Sequence, residues 1–285
     1  MTVKIVTDSA ADIPPEILKE LDISVVPLYV RFGTEVFKDG VTINNEQFYQ
    51  RLTTSGEFPA TSQPTPLDFQ ETYEKLCDNT DGIVSIHLSE KFSGTCESAR
   101  QAGSALKGKC SIEVIDSESM TIGLGMVCMT AARAARAGAS FAETVKIARE
   151  AIREIHFMSM FDSLKYLVKG GRVGKAKGMI GIILNIKPLL GMKDGIVVPV
   201  GRVRSASKGI EEMYNFMAGA IKKGTVKELA IMYNTVRKEA DALKERIAPH
   251  YPRKIIMGQI GPILGTHAGP NVILIGIQGE LPTTP

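Results

Sequence analysis

The chain opens on a short apolar run that turns polar, VKIVTDS from Val3, the pattern of a buried strand that delivers its last residues to a loop. Pro14 stands where a first helical turn tolerates a missing N–H, so a helix is predicted to run through about Leu21. ISVVPLYVRF, from Ile23, reads as extended structure with Gly33 as its turn. A helix over Asn45 to Leu52, capped by Asn44 or Asn45, is followed by a Ser-, Thr- and Pro-rich loop from Thr53 to Pro66. The pattern then predicts a helix over Leu67 to Leu76, a strand at GIVSIHL and a helix opening at or just after Ser93. CSIEVIDS is the next strand, and two longer helices fill Thr121 to Glu154. Strands alternating with helices of this length predict a mainly parallel sheet covered by helices on both faces. The loops at the strand ends, TDSAAD, HLSEKFSGT and DSESMTIGLG, are then where a ligand would be met.

The second half has a different rhythm. IHFMSMF reads as a strand and SLKYLVK as a helix that stops at Gly170-Gly171. NIKPLLGMKDGIVVPVGRVRS reads as a hairpin turning at Lys193-Asp194-Gly195. Helices and strands alternate again through Ser207 to Lys222, Lys227 to Asn234, Arg237 to Ala248 and Lys254 to Gln259, and VILIGIQ is the last strand. The fold class is α/β. Two domains are expected, residues 1–156 with the mainly parallel sheet and residues 157–285 with mixed α/β structure, a division that the length allows.

Composition narrows the partners. Of the 285 residues 44% are hydrophobic and 23% charged, close to globular proportions, so a folded chain is expected throughout. A net charge of +3 and the absence of Trp give little footing for nucleic acid. The apolar runs, MIGIILNI from Met179 among them, are too short to span a bilayer, and the N-terminal stretch lacks a secretory pattern; a cytoplasmic protein without stable membrane insertion is expected. Cys77, Cys96, Cys110 and Cys128 show no CxxC spacing and read as free core thiols, and no His, Asp and Glu cluster suggests a metal.

Four segments could carry chemistry. In HLSEKFSGT a strand leads into a helix start, where unpaired N–H groups attract an anion, Gly94 permits close approach, and Ser93 and Thr95 add hydroxyls; an ordinary capped turn is the plainer reading. In ATSQPTPLDF, Thr61, Ser62 and Thr65 form a hydroxyl-rich loop stiffened by Pro64 and Pro66. In KYLVKGGRVGKAKG, Lys165, Lys169, Arg172, Lys175 and Lys177 crowd beside glycines without matching a phosphate-binding loop; a solvated rim and a docking surface both fit. In GQIGPILGTHAGPNVILIGI, His267 lies in a Gly- and Pro-rich turn that gives its imidazole a defined place.

TDSAADIP, TSQPTPLDF, HLSEKFSGT, VIDSESMTIGLG, LKYLVKGGRV, IKPLL, GRVRSASKG and GPILGTHAGP, in this order, resemble the DegV family nearly end to end. The resemblance implies a protein that binds a long-chain fatty acid between two α/β domains and serves no catalysis by itself. It implies carboxylate-binding roles for Thr61, Ser62, Ser93, Gly94, Thr95 and His267, and no cofactor beyond the bound acid. It also implies a partner, the catalytic subunit of a fatty acid kinase, that converts the carboxyl group to an acyl phosphate. Lys169, Arg172, Arg202 and Arg204 are expected to dock that partner. One departure is Asn271, where the family pattern has Gly; Asn tolerates positive φ better than most residues, so the turn should survive. Burying about fifteen methylenes at roughly 0.8 kcal/mol each gives on the order of 12 kcal/mol gross, enough to hold an acyl chain even after its ordering cost. The alternative is a hydrolase of acyl esters or phosphates with Ser93 as nucleophile and His267 as base. Against it, Ser93 lacks the GxSxG context and no Asp is evident to orient His267.

Overall fold

The computed structural model describes residues 2–179 and 186–281, so most of the MIGIILNI run lies outside the described residues. The chain begins with β1 (Thr2–Asp8), whose last side chain caps a short 3-10 turn by accepting from the Ala10 N–H. Then come α1 (Pro15–Leu21), β2 (Ile23–Val26), β3 (Tyr29–Phe32) and β4 (Glu35–Lys38). ISVVPLYVRF is therefore two strands of different sheets rather than one extended run. Pro27 brings no N–H to a ladder and ends β2. The turn at Gly33 (φ 56°) closes an antiparallel β3–β4 hairpin that the sequence reading did not contain.

Next are α2 (Asn45–Thr54), β5 (Ala60–Ser62), α3 (Pro66–Cys77), β6 (Thr80–His87), α4 (Thr95–Ala105), β7 (Ile112–Asp116), α5 (Thr121–Arg136) and α6 (Phe141–Ile152). Capping boxes at Asn44–Gln47, Thr65–Asp68 and Ser140–Glu143 fix the starts of α2, α3 and α6 by satisfying backbone donors that the helices leave free. The chain continues through β8 (Ile155–Met160), α7 (Lys165–Lys169), β9 (Lys187–Lys193), β10 (Ile196–Val203), α8 (Ala206–Lys222), β11 (Val226–Tyr233), α9 (Arg237–Ile247), β12 (Ile256–Gln259), α10 (Pro262–Ala268) and β13 (Ile273–Gly279).

The first half builds a parallel sheet in the order β2-β1-β6-β7. Successive residues of its strands point to opposite faces. Val6 and Ile83 pack with Phe69, Tyr73 and Ala99 of α3 and α4, while Ile5 and Val84 pack with Met126 and Ala148 of α5 and α6. The second half builds a mixed sheet in the order β10-β9-β8-β13-β11-β12, antiparallel except where β11 meets β12. One face of it packs on Met213, Met217 and Leu243 of α8 and α9.

Helix α5 joins the two halves. Twelve of its sixteen residues are buried, the mark of a helix with apolar surroundings on every side. Its Gly125 allows contact with the β1 turn, where a Cβ would stand 2.9 Å from the Ala11 carbonyl; on the other side a Cβ at Gly276 of β13 would stand 2.9 Å from Ile122. No helix among the described residues is long and apolar enough to cross a membrane. The four cysteines are free thiols, and Cys77, Cys96 and Cys128 are buried.

Candidate ligand-binding site

Thr61 and Ser62 lie on a strand and not in the loop expected there. β5 adds to the edge of β3, with Thr61 opposite Val30 and Ser62 opposite Tyr29. A strand of three small or polar residues has no apolar alternation to announce it, and the ladder with β3 supplies its order. His267 likewise sits in the last turn of a helix and not in an irregular turn. Gly261 precedes α10, Pro262 occupies its first turn, and Gly269 ends it at φ 72°. The glycines and prolines read as a turn are the start and stop signals of this seven-residue helix.

These two elements bring Thr61 and His267 together, with Oγ1 and Nε2 2.8 Å apart. Nδ1 is buried and has no hydrogen-bond partner among the described residues. Burial, with the nearby Arg172 cation adding to it, pushes the imidazole down to about 4, so His267 is neutral at physiological pH. Arg172 is anchored by the backbone: Nε and Nη2 donate to the Phe92 carbonyl at 3.2 and 3.0 Å, and Nη1 donates to the Gly170 carbonyl at 2.6 Å. A guanidinium carries more N–H donors than these bonds use.

Ser93 shares a hydrogen bond of 2.9 Å with Thr95, and Thr95 is fully buried. Helix α4 starts at Thr95 with Gly94 as its N-cap, just after Ser93 as the sequence suggested. The Gly94 N–H, expected to be free for an anion, donates instead to Gln63 Oε1 at 3.2 Å. Gln63 also donates to Ser98 and so ties the end of β5 to α4. A Cβ at Gly94 would stand 2.7 Å from the Gln63 amide nitrogen, so a larger residue there would displace the Gln63 amide.

The cavity enclosed here has a volume of about 210 Å³. Its polar lining is Thr61, Ser62, Gln63, Ser93, Arg172 and His267, and its apolar lining includes Leu28, Leu88, Met120, Leu167, Ile263 and Leu264. Both halves of the chain therefore contribute. Gly94 and Thr95 do not line it. Gln63 was missed by the sequence reading, although it lies beside two of the residues singled out. Arg172 was read as a docking residue and lines the cavity, whereas Lys169, Arg202 and Arg204 do not line it. Lys169 Nζ stands 3.5 Å from the ring centroid of Phe58, and Arg202 on β10 and Arg204 just beyond its end are exposed. Asn271 adopts φ 60°, and its side-chain amide donates to Asp162 at 2.6 Å.

A second constellation is closed to solvent. Asp8 Oδ2 meets His87 Nδ1 at 3.0 Å, His87 Nε2 meets Ser85 Oγ at 2.7 Å, and Ser85 meets the Tyr73 hydroxyl at 2.7 Å. All four residues are fully buried, so the order of Asp, His and Ser gives a core network with no substrate access. Asp8 also accepts from the N–H groups of Ala10 and Leu88, and so fixes two residues of the cavity wall. Among the described residues no group of His, Cys, Asp and Glu could hold a metal ion.

A family model described as "Uncharacterised protein, DegV family" matches residues 2–280. The chain belongs to the DegV family. A DegV domain-containing protein of Caldanaerobacter subterraneus subsp. tengcongensis is 37% identical over 270 residues, which cover 94% of this chain and 96% of that protein. Among solved structures, DegV from Bacillus subtilis, described as a fatty acid binding protein, has a TM-score of 0.91 at 29% identity and covers 98% of this chain and 100% of its own. A DegV family protein from Thermus thermophilus, described by its fatty acid binding, has a TM-score of 0.90 at 28% identity with the same coverage. A stearic acid-binding protein from Eubacterium ventriosum has a TM-score of 0.88 at 26% identity and covers 97% of this chain and 98% of its own.

Proposed function

We propose that this DegV protein is a cytoplasmic carrier that binds one long-chain fatty acid between its two halves, residues 1–156 and 157–285. It holds the carboxylate at the polar lining of the cavity. The observation that supports this reading best is a cavity lined both by hydroxyl, imidazole and guanidinium groups and by aliphatic side chains. A fatty acid offers a carboxylate to the first and an acyl chain to the second.

The carboxylate must not be buried without partners. Thr61, Ser62 and Ser93 offer hydroxyl donors, and Arg172 offers its uncommitted N–H groups and a positive charge. His267, neutral, orients the Thr61 hydroxyl. Gly94 and Thr95 support this set without lining the cavity: Thr95 fixes the Ser93 hydroxyl, and Gly94 fixes Gln63. The acyl chain lies along the aliphatic lining, where Met120 can adapt its shape to the chain.

The protein acts as a carrier without catalysis of its own. A Ser–His nucleophile needs its base within hydrogen-bond reach. Here Ser93 is bonded to Thr95 and His267 to Thr61. The bound carboxyl group is presented to the catalytic subunit of a fatty acid kinase for acyl phosphate formation, with Lys169, Arg202 and Arg204 as the docking cations.

Native mass spectrometry of the purified protein tests the reading. A tightly held mass in the range of a C14 to C18 acid, released on denaturation, is the expected result. An apo mass that takes up no added palmitate or oleate would refute it.

A further inference from the structure

Asp12 closes the TDSAAD turn and does not line the cavity. Its backbone lies in the left-handed region at φ 48°, uncommon for a residue with a side chain. Both carboxylate oxygens are engaged: Oδ2 meets Thr121 Oγ1 at 2.6 Å, and Oδ1 accepts from the Gly261 N–H at 2.9 Å. Thr121 is itself at φ 47°, a sharper exception for a buried β-branched residue. Conformations of this kind persist where the surroundings over-determine them, and they cluster at ligand sites.

The three joined segments all lead to the cavity. The Asp12 turn carries Ala10, Thr121 follows Met120, and Gly261 starts the helix that carries His267. Gly261 is held closely, since a Cβ there would stand 2.7 Å from Asp12 Oδ1. The residue before it is gripped as well, because the Tyr49 hydroxyl donates to the Ile260 carbonyl at 2.9 Å. Helix α10 is short and hydrogen-bonded along its length, so a displacement at Gly261 is carried to the imidazole at its far end.

We propose that Asp12 is a positioning residue of the head-group site: from behind the cavity wall, its carboxyl group fixes the start of α10 against the start of α5 and so sets the His267–Thr61 geometry. This inference rests on the fatty-acid reading of the cavity, but its central claim concerns the imidazole and can be read without ligand.

The experiment compares Asp12→Ala, Asp12→Asn and Gly261→Ala. Ring ¹⁵N signals of the four histidines are recorded without fatty acid, the His267 pair being assigned with His267→Gln. Affinity for a fluorescent fatty acid is then measured on the same samples. Asp12→Ala should shift the His267 signals and weaken binding by about tenfold, the scale of one lost polar contact. Asp12→Asn keeps the acceptor for the Gly261 N–H and turns the Thr121 contact round, the amide N–H donating to the Thr121 hydroxyl that donates to Asp12 in the wild type, so it should retain the wild-type signals and stay within about twofold in affinity. Gly261→Ala, whose backbone φ of −76° suits Ala, wedges the contact apart and should move the His267 signals even if Asp12→Ala does not fold. Unchanged His267 signals in folded Asp12→Ala, or in Gly261→Ala, overturn the proposal. If the signals shift while wild type binds no fatty acid, the positioning role stands and the ligand assignment falls.

Discussion

His267 lies so close over Gly170 that a Cβ on that glycine would stand 2.2 Å from Nδ1. Gly170 has φ −77° and ψ −7°, where Ala fits without backbone strain, so the contact and not the turn requires Gly. Gly170→Ala should push the imidazole away from Thr61 and lower fatty-acid affinity by about tenfold, with little change in thermal stability. Gly178→Ala is the control, because a Cβ there meets nothing within 4 Å. Equal affinity of the two variants would show that the imidazole position is unimportant for binding.

Arg172 bears on the same ring through charge. Burial is the larger cause of the low His267 value and Arg172 the smaller, so Arg172→Met should raise it from about 4 while leaving it below the ordinary value of 6.5. Unfolded chains take up a proton at His267 near pH 6.5 and the folded protein near 4, so this group costs stability as pH falls through that interval. Arg172→Met should narrow the interval and also weaken fatty-acid binding. An NMR titration of His267 that is the same in both proteins would remove Arg172 from its surroundings.

Much of this architecture was legible because the strongest signals are local. GIVSIHL is apolar enough to be a buried strand wherever it lies, Asn44 and Thr65 cap as their types predict, and Lys193-Asp194-Gly195 turns as such residues do. The misses share a physical cause, which is order imposed from a distance. Ala60, Thr61 and Ser62 become a strand because β3 is available to pair with them. Arg172 looks like one more cation in a basic loop until the chain folds back and Phe92 offers its carbonyl. Gln63 gains its place from Gly94 and Ser98, more than thirty residues away in sequence. The hydroxyls and the histidine that line the cavity stand out in the sequence, but the partner of each does not.

Asp39 gives a pH dependence of opposite sign. It is almost fully buried, and burial raises its carboxyl to about 7, with Asp8 adding to the rise and a hydrogen bond from Ser9 opposing it. Asp12 stands nearby, itself raised to about 8 by burial. The folded protein therefore keeps a proton on Asp39 that the unfolded chain loses near 3.8, and stability falls as pH rises from about 4 to about 7. Asp39→Asn should gain on wild type across that interval and gain nothing further above it. Urea unfolding at several pH values measures this, and an advantage that stays flat from acid to neutral pH would show that Asp39 is already ionised.

The cations proposed to dock a partner can be tested apart from the proposed head-group site, because Lys169, Arg202 and Arg204 do not line the cavity. Arg202 on β10 and Arg204, just beyond the last strand residue Val203, are both exposed, while Val203 packs toward α8. Charges in that position act on an encounter with an acidic surface, mainly through its rate, and salt screens them over about 10 Å at 0.1 M. Arg202→Ala combined with Arg204→Ala should therefore leave the mass of the bound fatty acid unchanged and slow acyl phosphate formation by a cognate kinase. The deficit should shrink as salt is raised, because wild type loses its advantage. Arg172→Met should behave differently, losing bound lipid at any salt concentration. If the Arg202 and Arg204 double variant loses its lipid while the rate per bound lipid stays normal, those arginines support the cavity and the partner docks elsewhere.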